Sequence, residues 1–133
     1  MLQLAQDKGY FDTASIQQFE QLYQKLPNYF PAEAPALLHG DLWGGNLMCN
    51  EEGSPVLIDP AVYYGHREME LAFMTLFDSQ APAFYHSYEN VYPLDKEWES
   101  RIDLCNLYPL LVHVNLFGGG YVASVSRILK RYV

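Results

Sequence analysis

The sequence predicts an α+β fold that is mostly helical, with one small β-hairpin at its working edge. Apolar residues recur at helical spacing over much of the chain. Two short β-prone runs flank a turn-forming segment near the middle, which reads as a hairpin. After Gly65 the pattern is helical, punctuated by Pro82 and Pro93. No internal repeat or low-complexity tract interrupts it, so residues 1–133 read as one domain.

Met1 to about Lys8 reads as the end of a helix that begins before the chain does, closed by Gly9. Asp12 to Ser15 supplies capping side chains, and Ser15 with Gln18 fits a capping box. Ile16, Phe19, Leu22, Tyr23 and Leu26 then recur at helical spacing until Pro27 stops the run. A Pro/Ala-rich connector from Pro31 to Pro35 leads to the apolar stub Leu37-Leu38. Asn46 to Cys49 and Val56 to Asp59 are the predicted hairpin strands, joined by Asn50-Glu51-Glu52-Gly53-Ser54. The aromatic run Phe84, Tyr85, Tyr88 and Tyr92 reads as packing. From Glu97 to Phe117 apolar residues lie almost all round, which predicts a buried helix kinked or broken near Pro109. Gly118-Gly119-Gly120 then turns the chain into a last helix carrying Val122, Val125, Ile128 and Leu129. Arg127, Lys130 and Arg131 complement its C-terminal dipole.

Composition narrows the function classes. Half of the residues are hydrophobic, 15% aromatic and only 18% charged, a globular balance. Sixteen acidic residues against eight basic ones leave a formal charge of −8, which repels phosphate backbones and anionic lipid. Neither nucleic acid nor membrane is expected as a partner, and a nucleotide needs a metal ion or external basic groups to approach. Cys49 and Cys105 lack CxxC spacing, so neither a disulfide framework nor a zinc site is expected. The polar N-terminus does not fit a signal peptide and no apolar run reaches bilayer length, which sets a cytoplasmic expectation.

The informative segment is LLHGDLWGGNLMCNEEGSPVLIDP, residues 37 to 60. Asp41 follows the strand stub and precedes Gly44-Gly45, where glycines allow a tight reversal that brings Asn46 back beside it. The returning hairpin strand delivers Asp59 at its end. Three oxygen-bearing side chains then converge at one edge of a small sheet. Mg²⁺ takes hard oxygen donors, one or two of them protein carboxylates, with phosphate and water filling the rest. Asn46 and Asp59 suit that metal, while Asp41 suits acceptance of a hydroxyl proton. Singly, each reads as a turn residue or a cap. Together, after apolar strands, they read as a phosphoryl-transfer site. His39 reads as a structural residue bonding backbone in the loop, Glu70 as structural at a helix start, and Glu68 as an open candidate for substrate contact. His66 reads as a helix-start residue, and His86 and His113 carry no signal.

HGDxxxxN followed by a hydrophobic strand ending in Asp resembles the catalytic and metal loops of kinase-like phosphotransferases, with HGD and Ile-Asp-Pro as in the aminoglycoside and choline kinase group. HGDLWGGN with Trp43, IDPAVYYGHREMELAFMTLF and LFGGGY resemble the fructosamine (ketosamine) kinase family specifically, over nearly the whole chain. The resemblance implies the C-terminal lobe of a protein-kinase-like fold. It further implies ATP with Mg²⁺ as cofactors and phosphorylation of a sugar hydroxyl of ketosamines. By matching position, Asp41 is then the catalytic base, Asn46 and Asp59 the Mg²⁺ ligands, and Trp43 a substrate-side aromatic suited to a sugar ring.

No glycine-rich phosphate loop and no lysine-bearing strand precede HGD, so the resemblance implies that the N-terminal nucleotide lobe is absent from this chain. The isolated chain is then expected to be nearly inactive, with surface left by that lobe favouring a homo-oligomer. Two other classes stay open. One is a non-catalytic binding or assembly remnant; the other is an aminoglycoside- or choline-kinase-like substrate choice. A metal-dependent phosphohydrolase fits less well, because such sites take more His and Asp ligands than this segment offers.

Overall fold

The computed structural model describes residues 1–77 and 80–133. They fall into two compact units, residues 1–31 with 106–133, and residues 32–105.

The first unit is helical. Helix α1 (Leu2–Asp7) closes at Gly9, whose φ of 77° is open to glycine and lets Tyr10 N–H bond Ala5 O at 3.0 Å. Helix α2 (Thr13–Lys25) is capped by Asp12, which accepts Ser15 N–H at 2.8 Å and the Ser15 hydroxyl at 2.7 Å. The expected Ser15–Gln18 box is therefore displaced by one turn: Ser15 already lies inside the helix, and its bonds hold the Asp12 carboxyl below its ordinary value. Phe19 and Leu22 form the buried stripe of α2. It packs on α6 (Gly120–Tyr132), which buries Val125, Ile128 and Leu129. The glycine turn forms as expected, with Gly118 and Gly119 at φ 62° and 60°.

Helix α5 (Ile102–Phe117) follows a 3₁₀ turn over Trp98–Arg101 and continues through Pro109, so of the kink or break expected there the break does not form. A proline removes one helix donor, and here burial of Leu107, Leu110, Leu111 and Val114 around it holds the helix together. Nor is the helix buried all round, since Tyr108, Leu116 and Phe117 are exposed.

The second unit carries β1 (Ala36–Leu38), β2 (Leu47–Cys49), β3 (Pro55–Leu57), β4 (Tyr63–Gly65), α3 (Glu68–Phe77), α4 (Pro82–Val91) and the start of α5. Strands β2 and β3 form the expected hairpin, Leu47 opposite Leu57 and Cys49 opposite Pro55. Asn50 Oδ1 closes its turn by accepting the N–H groups of Glu52 and Ser54. Strand β1 does not join that hairpin. It pairs instead with β4, Ala36 opposite Gly65 and Leu38 opposite Tyr63, making a second two-stranded antiparallel sheet. A three-residue strand carries too little alternation to announce itself in sequence.

Leu71, Met74 and Trp98 form the core of this unit, with Leu42, Phe84, Tyr85, Tyr88, Leu94 and Ile102 packed against it. Pro82 stands in the first turn of α4, where its missing N–H costs nothing. Tyr92 departs from the packing expectation. It is exposed, and its ring lies 4.0 Å from the Arg67 guanidinium. Arg67, itself buried, also donates to Glu33 Oε2 at 3.1 Å and to the carbonyls of Tyr92 and Pro93 at 2.7 and 2.5 Å. Arg101 donates to both oxygens of Glu68 at 2.6 and 2.7 Å and to Asp95 at 3.1 Å. These bonds, Glu68 first, hold Arg101 firmly protonated. Burial pushes the Cys105 thiol up to about 12, so it stays protonated.

Because Glu68 is only 2% exposed, removing its partner leaves a buried charge uncompensated. Arg101→Met is expected to cost about 3–5 kcal/mol, with Glu68→Leu/Arg101→Met recovering much of the loss. Urea unfolding midpoints of the two variants check this.

Candidate active site

The site is assembled by backbone hydrogen bonds around the HGD turn. Gly40 has φ 83°, a conformation that suits glycine, and a Cβ there would collide with the Ala61 carbonyl. Glu70, in the first turn of α3, accepts the N–H groups of both His39 and Gly40, the latter at 3.1 Å. On the other side of the turn the His39 carbonyl accepts Ala61 N–H at 2.8 Å.

The His39 ring ties the same turn to the segment that carries Asp59. One ring nitrogen, Nδ1, lies 3.3 Å from Asp41 N–H and can only accept there; Nε2 lies 2.9 Å from the Ile58 carbonyl and can only donate. The two contacts agree on a single neutral tautomer with the proton on Nε2. One imidazole thus spans the backbone of Asp41 and the residue before Asp59.

Asn46 is buried and ends a 3₁₀ turn over Gly44–Asn46. Its Nδ2 donates to Asp41 Oδ2 at 3.0 Å and to the Asp41 carbonyl at 2.8 Å. Its carbonyl accepts Ile58 N–H at 3.1 Å, which sets Asp59 one residue beyond that bond. Asp59 is exposed and adopts φ 51°, the left-handed region that Asp tolerates better than most side chains. The structure therefore brings the side chains of Asp41 and Asn46 into contact. Among the described residues the Asp59 carboxylate has no hydrogen bond to either.

Trp43 is 42% exposed, and its indole lies over Gly45, where a Cβ would strike the ring. The role of this glycine differs from the tight-reversal expectation. Neither Gly44 nor Gly45 has positive φ, and Gly45 instead leaves room for the indole. The residue that needs a glycine backbone is Gly40. Glu68, the candidate substrate contact, spends both carboxylate oxygens on Arg101 beneath the surface. Arg67 and Arg101 escaped sequence reading; each stands close to acidic residues, Arg67 ahead of Glu68 and Glu70 and Arg101 between Glu99 and Asp103.

With Asn46 Nδ2 committed to Asp41, its Oδ1 is the atom left for a cation. The Asp59 carboxylate is a second oxygen donor of the hard kind that Mg²⁺ takes alongside phosphate and water. No cluster of three or more His, Cys, Asp or Glu able to hold a metal by itself occurs among the described residues.

The sequence profile of the Fructosamine kinase family matches residues 1–133. The chain belongs to this family. The "Probable ketoamine kinase" of Lactiplantibacillus plantarum is 40% identical over 134 residues, spanning 99% of this chain and 48% of that protein. "Protein-ribulosamine 3-kinase, chloroplastic" of Arabidopsis thaliana is 40% identical over 134 residues, spanning 99% and 40%. A solved structure from Thermobifida fusca, named as a fructosamine-3-kinase, superposes with a TM-score of 0.88 at 37% identity, over 97% of this chain and 45% of that one. This fructosamine kinase family chain thus spans about half the length of the relatives it matches. Among the described residues no helix is long and apolar enough to cross a membrane.

Two substitutions test this geometry. Gly40→Ala is expected to lose about 1–3 kcal/mol of stability in thermal unfolding, from the clash with Ala61. Gly45→Ala is expected to leave the fold intact but displace the Trp43 indole, seen as a shift of its N–H resonance in a two-dimensional NMR spectrum.

Proposed function

We propose that this chain carries the phosphoryl-transfer centre of an ATP-dependent kinase acting on a sugar hydroxyl of ketosamines. In this reading it corresponds to the C-terminal lobe of a protein-kinase-like fold, and the nucleotide-covering lobe lies outside it. The observation that carries the reading is the Asn46 side chain. It donates to Asp41 at 3.0 Å while its backbone carbonyl holds Ile58, the neighbour of Asp59.

The roles follow from those bonds. Asp41 Oδ2 is held by Asn46, which leaves Oδ1 to accept the proton of an incoming hydroxyl. His39 and Glu70 keep the Asp41 backbone in place before substrate arrives, so little reorganisation is needed at reaction. Asn46 Oδ1 and Asp59 are the residues that hold Mg²⁺, and the ion supplies charge neutralisation for the ATP phosphates. Asn46, Asp59 and Asp41 bring no positive charge of their own, in keeping with a metal-borne nucleotide. The exposed indole of Trp43 offers a flat apolar face on which a sugar ring can rest. Glu68, buried against Arg101, takes no part.

With the nucleotide-covering lobe supplied, Asp41→Asn is expected to lower ketosamine-dependent ADP release by about 10²–10⁴-fold while leaving Mg²⁺-linked nucleotide binding intact. Asp59→Ala is expected to remove the Mg²⁺ dependence of nucleotide binding measured by calorimetry. Wild-type turnover in Asp41→Asn would overturn the assignment.

A further inference from the structure

A concavity of about 360 Å³ lies between α3, α4 and the 3₁₀ turn before α5, and no residue of the HGD turn lines it. Pro82, Tyr85, Trp98 and Ile102 give it an apolar wall, on which the Tyr85 and Trp98 rings stack at 5.8 Å and 29°. Glu89 and Glu99 place two carboxylates among the lining residues, and neither lysine nor arginine lines it. Among the described residues neither carboxylate has an ion-pair partner.

The surrounding charge has the same sign. Residues 32–105 hold thirteen of the sixteen acidic side chains but only three of the eight basic ones. Two of those three, Arg67 and Arg101, are buried and bonded within the unit, which leaves Lys96, among the described residues, as the one basic side chain outside such a cluster. A cavity with an apolar aromatic wall and carboxylates suits a ligand that is apolar along its length and positive at its end. Methylene groups lie against the rings, and the ammonium meets the carboxylates.

We propose that this cavity binds an aliphatic ammonium group, the end of a short alkylamine chain. The site is separate from the phosphoryl-transfer centre and does not depend on that reading. It is nevertheless connected to the HGD turn through packing: Trp98 lines the cavity and belongs to the core cluster on which Leu42, next to Asp41, rests.

The chain has two tryptophans, Trp43 and Trp98, so its indole N–H resonances report on the two sites separately. 1,4-Diaminobutane is titrated into the whole protein, with 1,4-butanediol as the neutral probe. The expected result is a saturable shift of the Trp98 resonance with Trp43 unmoved, weakened about ten-fold or more in Glu89→Gln/Glu99→Gln and in high salt. The variant's remaining resonances should superpose on the wild type, since both changes keep side-chain shape. An equal response to the diol, shifts at both indoles alike, undiminished binding in the variant, or no saturable shift would each overturn the proposal. Binding that persists in Asp59→Ala supports its independence from the metal pair; loss there overturns it.

Discussion

The carboxylate of Glu70 faces the N–H groups of His39 and Gly40, and the rest of the second unit is organised around that contact. Two adjacent amides in a turn have no strand or helix partner, and leaving them buried and unpaired would cost free energy. A carboxylate accepts both at once, with stronger bonds than a neutral group makes. The contact fixes where α3 begins relative to β1, and Gly65 of β4, two residues before Arg67, is held back against Ala36. Within that frame Gly40 has no room for a side chain and Ala61 sits against it. Asp41 is then held between the His39 ring, which accepts its N–H, and Asn46, which donates to its carbonyl and its carboxylate.

The unit handles its charge in two ways. Its two buried arginines are enclosed by acceptors: Arg67 by Glu33, two carbonyls and the Tyr92 ring, and Arg101 by Glu68 and Asp95. Such clusters offset desolvation only when every donor is met, which sets the geometry of the groups around them tightly. The acids of the HGD site and of the cavity beside α4 are left toward solvent or half-buried. Positive charge is therefore spent inside and negative charge presented outside, an arrangement that favours metal-borne phosphates and organic cations over bare anions.

Much of this was legible in the residues. The β2–β3 hairpin follows from apolar runs around Asn50–Ser54, and the last helix follows from the glycine turn and the spacing of Val125, Ile128 and Leu129. The Asp41–Asn46 pairing follows from a short reversal between strand and strand. What escaped depends on tertiary contact. Strand β4 is three residues long and exists because β1 is there to pair with it. Continuity of α5 through Pro109 reflects packing, which periodicity does not register. Glu68 and Glu70 stand two apart at one helix start, yet one meets a buried arginine and the other a backbone turn. No local pattern distinguishes them. Gly45 looked like a turn former, and only the position of the Trp43 ring reveals why a side chain is excluded there.

The reach of Arg67 has a kinetic consequence. Its guanidinium bonds Glu33, 34 positions earlier, and the carbonyls of Tyr92 and Pro93, 25 and 26 positions later. None of these bonds can form while the chain is locally ordered only. Loop closure across both intervals must come first, and its entropy is spent before the arginine contributes anything. Such non-local closures slow the search for the native state. The helices of this unit can then form early in refolding, while the clasp on Arg67 is completed among the last steps.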